Sequence, residues 1–300
     1  MSNQIPTFYA QQYASVIMLL LQQRGSRLAE CVTPHSIKGA KAATPIEQIG
    51  PVAATRRSTR YPSLVPQDTP MQRPWVYPVD YDWNDLIDSI DRLRTIVDPQ
   101  GPMAQNAMYA MGRAKDDEII AAFFGNRNTD QNGNTVTTFP GGAGGSQAVA
   151  VNFAAAGNVG LTVAKLREAR RLLYAAEVDV ENDPLYIAVT AKQHDNLLAE
   201  IQVISLDFNE KPVLVEGMVQ RFLGFTFRHT ERIVLDVNSY RRVPVWAKSG
   251  MHLATWNEIT TDISIRRDLA GLPVQIYVYG TFGAVRSEEK RVVEIISSEA

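Results

Sequence analysis

The sequence predicts an α+β fold in which the strands are gathered late in the chain. Helical spacing of apolar residues dominates before about residue 180, and short β-branched runs separated by turn residues dominate after about residue 210. A proline-rich stretch near the N-terminus excludes helix there. With 300 residues, 45% of them hydrophobic, a chain of this length buries about 75% of its extended surface. We therefore expect one large domain or two smaller ones.

Charge and proline are unevenly distributed. Residues 1–80 hold 8 basic and 4 acidic side chains, a net of +4, whereas residues 81–300 hold 22 and 28, a net of −6. Eight of the 16 prolines lie between Pro34 and Pro78, and proline removes a backbone donor and disfavours helix in the residue before it. The apolar run at residues 14–21 falls short of the roughly 20 residues that span a bilayer. We expect no membrane partner.

The proline-rich stretch also carries arginine and aromatic side chains that need partners. These are Arg56, Arg57, Arg60, Tyr61 and Trp75. Arg outnumbers Lys by 22 to 8 in the chain, which favours bidentate pairing at interfaces. We predict an extended arm whose five named residues contact a neighbouring subunit. A linker that joins an N-terminal helix to the main domain is the alternative.

Capping residues and spacing place four helices. Helices are predicted over residues 84–97, 102–124, 162–177 and 192–200. Asn84 would cap the first, Pro102 suits the first turn of the second, and Gly125 ends it. Strands are predicted over residues 185–190, 213–215, 222–229, 233–237, 243–247, 263–266, 274–279 and 292–296.

No motif predicts a ligand site in the glycine- and asparagine-rich segment that follows the second helix. The run Gly141–Gly145 lacks the Gly-Lys-Ser/Thr ending of a phosphate-binding loop. Asp130, Asn132 and Asn134 alternate like the start of a calcium loop, but the required Gly and Glu are absent. A hairpin turn is the better interpretation of these residues.

Catalytic constellations are equally incomplete. His194 and Asp195 would serve a metal-dependent hydrolase if further ligands joined them, but the other three histidines lie in unlike local contexts. A hydrolase that uses His194 and Asp195 is therefore a remote alternative. We expect no enzyme activity, no cofactor and no metal site, and the missing active site favours a structural role.

Three segments share their order and residue types with one protein family. They are Asp98-Pro99 with residues 107–122 (AMYAMGRAKDDEIIAA), residues 217–227 (GMVQRFLGFTF), and residues 284–286 with 292–295. In these segments the chain resembles the major capsid proteins of tailed bacteriophages, which have the Hong Kong 97 fold. The first segment is similar to the long spine helix of that fold. The resemblance covers about residues 45–297.

The resemblance implies a division of the chain into the parts of a phage major capsid protein. These are an N-terminal arm at residues 1–44, an extended E-loop at 45–82, a peripheral (P) domain at 83–177 and 256–300, and an axial (A) domain at 178–255. The long helix would belong to the P domain. The A domain would pack around the fivefold and sixfold axes of a shell.

The resemblance also implies a function. The chain would assemble in the host cytoplasm with itself, as pentamers and hexamers, into the icosahedral shell of a virion that encloses double-stranded DNA and contacts it non-specifically. A separate scaffolding protein and a portal are expected partners, with decoration proteins as further ones. Because residues 51–82 contain no lysine, we expect no covalent cross-linking. The alternative is the shell of an encapsulin-like nanocompartment, which shares the fold.

Overall fold

The computed structural model describes residues 19–39, 41–60, 66–88, 100–200, 214–215 and 218–299. The chain divides into two compact units. Unit 1 takes in residues 1–26, 80–114 and 257–280, and unit 2 takes in residues 27–79, 115–256 and 281–300. In the part of the chain that is described, no helix has the length and apolar character needed to cross a bilayer.

The helices are α1 (Gln100–Phe124), α2 (Val163–Ala175) and α3 (Ala191–Leu198). The strands are β1 (Thr33–Ser36), β2 (Gln48–Ile49), β3 (Met71–Gln72), β4 (Val79–Ile87), β5 (Arg127–Asn128), β6 (Val136–Thr137), β7 (Ala148–Val149), β8 (Leu185–Val189), β9 (Leu214–Val215), β10 (Met218–Val219), β11 (Arg221–Phe222), β12 (Phe225–His229), β13 (Arg241–Ala247), β14 (Met251–Ile265), β15 (Val274–Arg286) and β16 (Val292–Ser297).

Unit 1 packs residues 100–114 of α1 against strand residues. Ala107 and Met111, one turn apart on α1, are buried with Ile276 and Val278 of β15. Ile87 at the end of β4 completes this core. The helix approaches residues 25–26 so closely that a Cβ at Gly112 would overlap their backbone. Glycine at this position therefore permits a contact that any larger residue would block.

The prediction of a helix from Asn84 is wrong for residues 84–87, which end strand β4. From Val79 onward, polar and apolar side chains alternate: Tyr81 and Trp83 pack towards the unit 1 core, and the residues between them are exposed. A period of two is the pattern of a strand with one buried face, and it overrides the helix cap suggested by Asn84. Residues 89–97 of the predicted helix lie outside the described residues.

Unit 2 is built on a mixed sheet with the strand order β11-β12-β8-β13-β16-β7 within the described residues. Alternate residues of β8 serve two cores: Leu185, Ile187 and Val189 pack with α2, whereas Ala188 packs with the C-terminal end of α1. Burial on both faces explains why β8 is an almost continuous apolar run.

Most of the predicted elements in unit 2 are confirmed. Helix α1 ends where Gly125 donates its N–H to the carbonyl of Ala121 at 2.9 Å. Thr162 caps α2 through its side chain, and Thr190 caps α3 in a reciprocal pair with Gln193. The hairpin expected at residues 130–134 joins β5 to β6, which pair antiparallel. Within the described part of residues 34–78 there is no helix, as the prolines predict.

Three strand predictions need correction. Residues 233–237 form no continuous strand: only Leu235 makes a bridge, with Arg241, and a turn follows at residues 237–238, where Oδ1 of Asp236 accepts the backbone N–H groups of Asn238 and Tyr240. The strand predicted at 222–229 is two strands separated by Leu223 and Gly224, which have φ of 50° and 82°. The strand predicted at 263–266 is the end of the much longer β14.

Candidate subunit interface

The extended loop (residues 45–82) has a base that is attached to unit 2. Strands β2 and β3 pair antiparallel, with Ile49 opposite Met71, and Gly50 donates to the carbonyl of Pro70 at 2.7 Å. Gln72 accepts a bond from buried Arg127 at 3.4 Å. The base is thereby fixed to the body of its own chain, and residues 51–60 continue from this fixed point.

The three predicted arginines lie beyond this base and are exposed. Residues 51–60 are all exposed and form no strand or helix. Arg57 donates to the carbonyls of Thr59 and Arg60, which stiffens this part of the loop locally. Tyr61 lies outside the described residues. The structure thus brings Arg56, Arg57 and Arg60 together in solvent on one exposed segment.

Trp75 differs from the arginines because it lies against its own chain. Its backbone N–H donates to the backbone carbonyl of Asn128 at 2.9 Å, and the residue is half-buried. Two residues later, Tyr77 donates its hydroxyl to the carbonyls of the hairpin residues Asp130 and Gln131, at 3.1 Å each. Trp75 therefore helps to position the end of the extended loop.

The loop also exposes apolar side chains that the sequence analysis missed. Ile49 and Met71 face each other across the β2–β3 pair, and each is 71% exposed. Val52, just beyond them, is also exposed. An exposed apolar cluster of this kind indicates a contact surface. No sequence signal marks it, because Ile49 and Met71 become neighbours only through the strand pairing.

A second surface, in unit 1, has the opposite charge. Asp80 and Asp82 point outward from β4, and Glu258 and Asp262 are exposed on β14. Strand β4 is at the edge of its sheet, in the order β1-β14-β15-β4. Tyr277 and Tyr279 of β15 stack with ring centroids 5.1 Å apart. We call this surface, with its four carboxylates, the acidic sheet face.

His194 has a structural role in the described residues. Its Nε2 accepts the backbone N–H of Val219 at 3.0 Å, and burial lowers its pKa. Asp195 follows His194 on α3, and the backbone carbonyl of Asp195 accepts the N–H of Ala199 at 3.0 Å. Among the residues that the structure describes, no three His, Cys, Asp or Glu side chains converge as metal ligands would. The geometry offers the hydrolase alternative no support.

The glycine run Gly141–Gly145 surrounds a carboxylate of its own chain. Gly142 donates its N–H to Oε2 of Glu294 at 2.7 Å, and Arg242 donates to Oε1 at 2.5 Å. Glu294 is 1% exposed, and a Cβ at Gly141 would overlap its Oε2 and the ring of Phe139. The run is therefore glycine-rich because the backbone must approach a buried anion.

A buried arginine binds the C-terminal end of the long helix. Arg286 of β15 is 1% exposed and donates to the carbonyls of Ala122, Phe123 and Gly125 at 2.8–3.1 Å. These carbonyls lack partners within the helix, and a cation is favourable at that end of the helix dipole. Burial lowers the pKa of Arg286 to about 10. Arg286 thus ties β15 to the end of α1, a role that sequence spacing did not reveal.

Comparison with known proteins gives one consistent picture. The family model described as "Phage capsid protein" matches residues 5–299. The capsid structure of the cyanophage P-SCSP1u superposes with a TM-score of 0.75 at 12% identity, covering 100% of this chain and 96% of that one. The capsid asymmetric unit of cyanophage Pam1 gives 0.71 at 12% identity, covering 98% and 97%. A structure of Mycobacterium phage Che8 gives 0.70 at 13% identity, covering 96% and 97%. No curated protein sequence matches.

Proposed function

Because this chain belongs to the phage capsid protein family and has the Hong Kong 97 fold, we propose that it is the shell subunit of a tailed-phage virion. It assembles as pentamers and hexamers into an icosahedral shell that encloses double-stranded DNA, within the cytoplasm of the host. The observation that carries the proposal is the wholly exposed segment 51–60, which projects from an anchored base and holds three arginines. In this proposal the protein has no enzymatic role.

We propose the following division of the chain into the parts of a capsid subunit. Residues 1–44 serve as the N-terminal arm and residues 45–82 as the E-loop. Residues 83–177 with 256–300 form the P domain, and residues 178–255 form the A domain. In this division, α1 lies in the P domain and β8 in the A domain.

Assembly in this proposal rests on many weak contacts. Ile49 and Met71 lose exposed apolar area when a neighbour covers them, which is favourable by about 25 cal/mol per Å². Arg56, Arg57 and Arg60 pair with carboxylates of that neighbour, and Tyr61 and Trp75 add aromatic contacts. Each contact is repeated around closed symmetry, so modest energies per subunit sum to a stable container.

The acidic sheet face supplies the opposite charge for such pairing. Asp80 and Asp82 lie on the same exposed side of β4. There the guanidinium group of an arginine from a neighbouring copy can reach a carboxylate that is exposed to water. An exposed pair contributes about 0.2–1 kcal/mol, so repetition rather than individual strength matters. We assign Arg56, Arg57 and Arg60 of one copy to the acidic sheet face of a neighbouring copy.

Charge reversal tests this assignment. Arg56→Glu and Asp82→Arg should each slow or reduce assembly, measured by light scattering and sedimentation, and the double variant should recover part of the loss. Arg167→Glu, an exposed change on α2, is the matched control and should leave assembly unchanged. Strictly additive losses in the double variant would show that the two residues do not pair.

Electron microscopy of purified particles tests the shell itself. Closed icosahedral particles with nuclease-protected DNA are expected from infected or induced cells, whereas particles filled with a protein cargo would indicate an encapsulin-like nanocompartment. A monodisperse small oligomer under all conditions would contradict the proposal. Boiling the particles in denaturant should release single chains, because residues 51–82 hold no lysine; ladders of covalent oligomers would refute non-covalent assembly.

Other partners belong to the proposal as well. A separate scaffolding protein directs assembly, a portal occupies one vertex, and decoration proteins bind the finished shell. Expression of this chain alone should give irregular or open particles, and co-expression with the scaffold should give closed ones. Correctly sized closed shells from the chain alone would remove the need for a separate scaffold.

A further inference from the structure

Strand β1 is attached to unit 2 along one edge of β14. The two strands are parallel, and residues 33–36 pair in order with residues 252–255. Beyond the strand, Ile37 donates its N–H to the carbonyl of Thr255 at 2.9 Å. Thr33 donates its hydroxyl to the carbonyl of Lys248 at 3.1 Å. The strand is only four residues long, so each side-chain contact forms a large share of what holds it.

Two histidines contact each other across this edge. Nε2 of His35 lies 2.9 Å from Nδ1 of His252, and the ring centroids are 5.0 Å apart. His252 is 4% exposed, and His35 is half-buried. At this distance the two nitrogens hold one hydrogen between them, donated by one ring and accepted by the other. When both rings are ionised, each nitrogen carries a hydrogen and the attraction becomes a repulsion.

The surroundings of the pair oppose a second proton. Burial and the neighbouring His35 lower the pKa of His252 to about 4, and Arg291 acts in the same direction. The backbone at Ser249 acts in the opposite direction, more weakly than burial and His35 but more strongly than Arg291. Burial also lowers the pKa of His35. The charged groups that act on His252 are thus His35 from β1 and Arg291 from the turn before β16.

We propose that His35 and His252 form a proton-sensitive latch, which holds β1 on β14 at neutral pH and opens that edge in acid. Opening exposes both rings to water, where each can take up a proton without facing the other. Leu28, Cys31 and Val32, just before β1, are buried in a core cluster that includes Met251 at the start of β14. The opening is therefore local, and it frees the edge of β14 while the preceding residues remain packed.

Hydrogen–deuterium exchange on the full chain tests the latch. Protection factors, which are corrected for the intrinsic pH dependence of exchange, are compared at two pH values. One is about pH 7, above the ordinary histidine pKa of about 6.5, and the other is about pH 4.5, well below it. The amides of residues 33–37 should lose roughly tenfold or more in protection, since each unit of pKa difference is worth a factor of ten. The amides of β16 and of residues 28–32 should lose much less.

His35→Gln keeps a polar side chain of similar reach and removes the repulsion between two ionised rings, so it should reduce the acid-dependent loss at residues 33–37; His35→Gln with His252→Gln, which also removes the titration of the buried ring, should abolish that loss. His194→Gln removes an imidazole elsewhere and should preserve that loss. Equal protection of residues 33–37 at both pH values in the unmodified chain would overturn the latch. An unchanged acid response in His35→Gln, or a loss shared equally by β16, would overturn it as well.

Discussion

Replacing Gly141 with alanine should destabilise unit 2 more than any ordinary glycine substitution in the same region. The added Cβ would overlap Oε2 of Glu294 and two carbons of the Phe139 ring. Glu294 is 1% exposed and cannot move into water without losing its bonds to Gly142 and Arg242. A hydrogen bond to a charged group contributes about 1.5–3 kcal/mol, so displacement of this carboxylate should cost about 3 kcal/mol.

Two other glycines provide matched controls. Gly144 has a φ of +85°, and a Cβ there would meet no described atom within 4 Å, so its alanine variant should lose only the conformational strain of about 1–2 kcal/mol. Gly157 has neither a positive φ nor a described atom near its Cβ, and Gly157→Ala should stay within about 0.5 kcal/mol of the parent.

Thermal unfolding of the unassembled chain, followed by circular dichroism, ranks the three variants. For a unit of this size, about 3 kcal/mol corresponds to a fall in Tm of roughly 6–12 °C. Gly144→Ala should fall by a few degrees and Gly157→Ala should not change. If Gly141→Ala melts together with Gly157→Ala, the glycine run does not enclose the carboxylate, and another reason must be found for its composition.

Three further predictions concern buried titratable side chains. Arg286→Met should lower the free energy of unfolding by about 2 kcal/mol in a denaturant titration, because three carbonyls at the end of α1 lose their donor; an unchanged midpoint would show that water replaces the guanidinium. Burial lowers the pKa of Lys165 to about 8 from 10.5, so the unfolded chain binds more protons between those values and stability should rise by about 3 kcal/mol from pH 8 to 10.5; Lys165→Met should abolish this rise. His252 has a pKa of about 4 against 6.5 when unfolded, so stability should be complete above pH 6.5 and fall by about 3 kcal/mol towards pH 4; His252→Gln should flatten that part of the stability curve, and an equally steep curve would point to other groups.

Helix α1 could be predicted from the sequence because its signals are local. Proline near its start, small and apolar residues at helical spacing and a glycine directly after its end all lie in the helix or beside it in the sequence. Helices α2 and α3 have caps of the same local kind, Thr162 and Thr190. Such signals survive in any environment, so these predictions needed no knowledge of the rest of the fold.

The errors arose where partners distant in sequence decide the structure. Asn84 resembles a helix cap, but the stretch from Val79 to Ile87 pairs as an edge strand. Strand β14 was recognised only at its end, because its first five residues are all buried and show no alternation. Arg286 and Glu294 were overlooked for the same reason: their partners, the end of α1 and the glycine run, lie far away along the chain.

The candidate interface was predicted in part because charge accumulates by segment. The excess of arginine in residues 1–80 and of carboxylate in residues 81–300 can be counted without any structure. The fold then shows that arginines of the extended loop remain in water and that Asp80 and Asp82 line an exposed strand edge. Glu294 and Arg242, by contrast, are paired with each other, and Glu294 is buried.

This difference between exposed charge and buried, paired charge is a physical reason to expect a second copy. Folding alone gives no stability to an exposed arginine segment or to the apolar pair Ile49 and Met71, whose side chains are each 71% exposed. Covering Ile49 and Met71 removes apolar surface from water, which is favourable, and it requires little desolvation of polar groups. A neighbour that presents carboxylates beside an apolar patch would satisfy both groups at once. Substituting Ile49→Ser with Met71→Ser should therefore weaken assembly while leaving the Tm of the unassembled chain within about 2 °C, since surface changes are worth little to the fold. A large fall in Tm would show that the pair stabilises its own chain, and an unchanged assembly yield would show that no neighbour covers it.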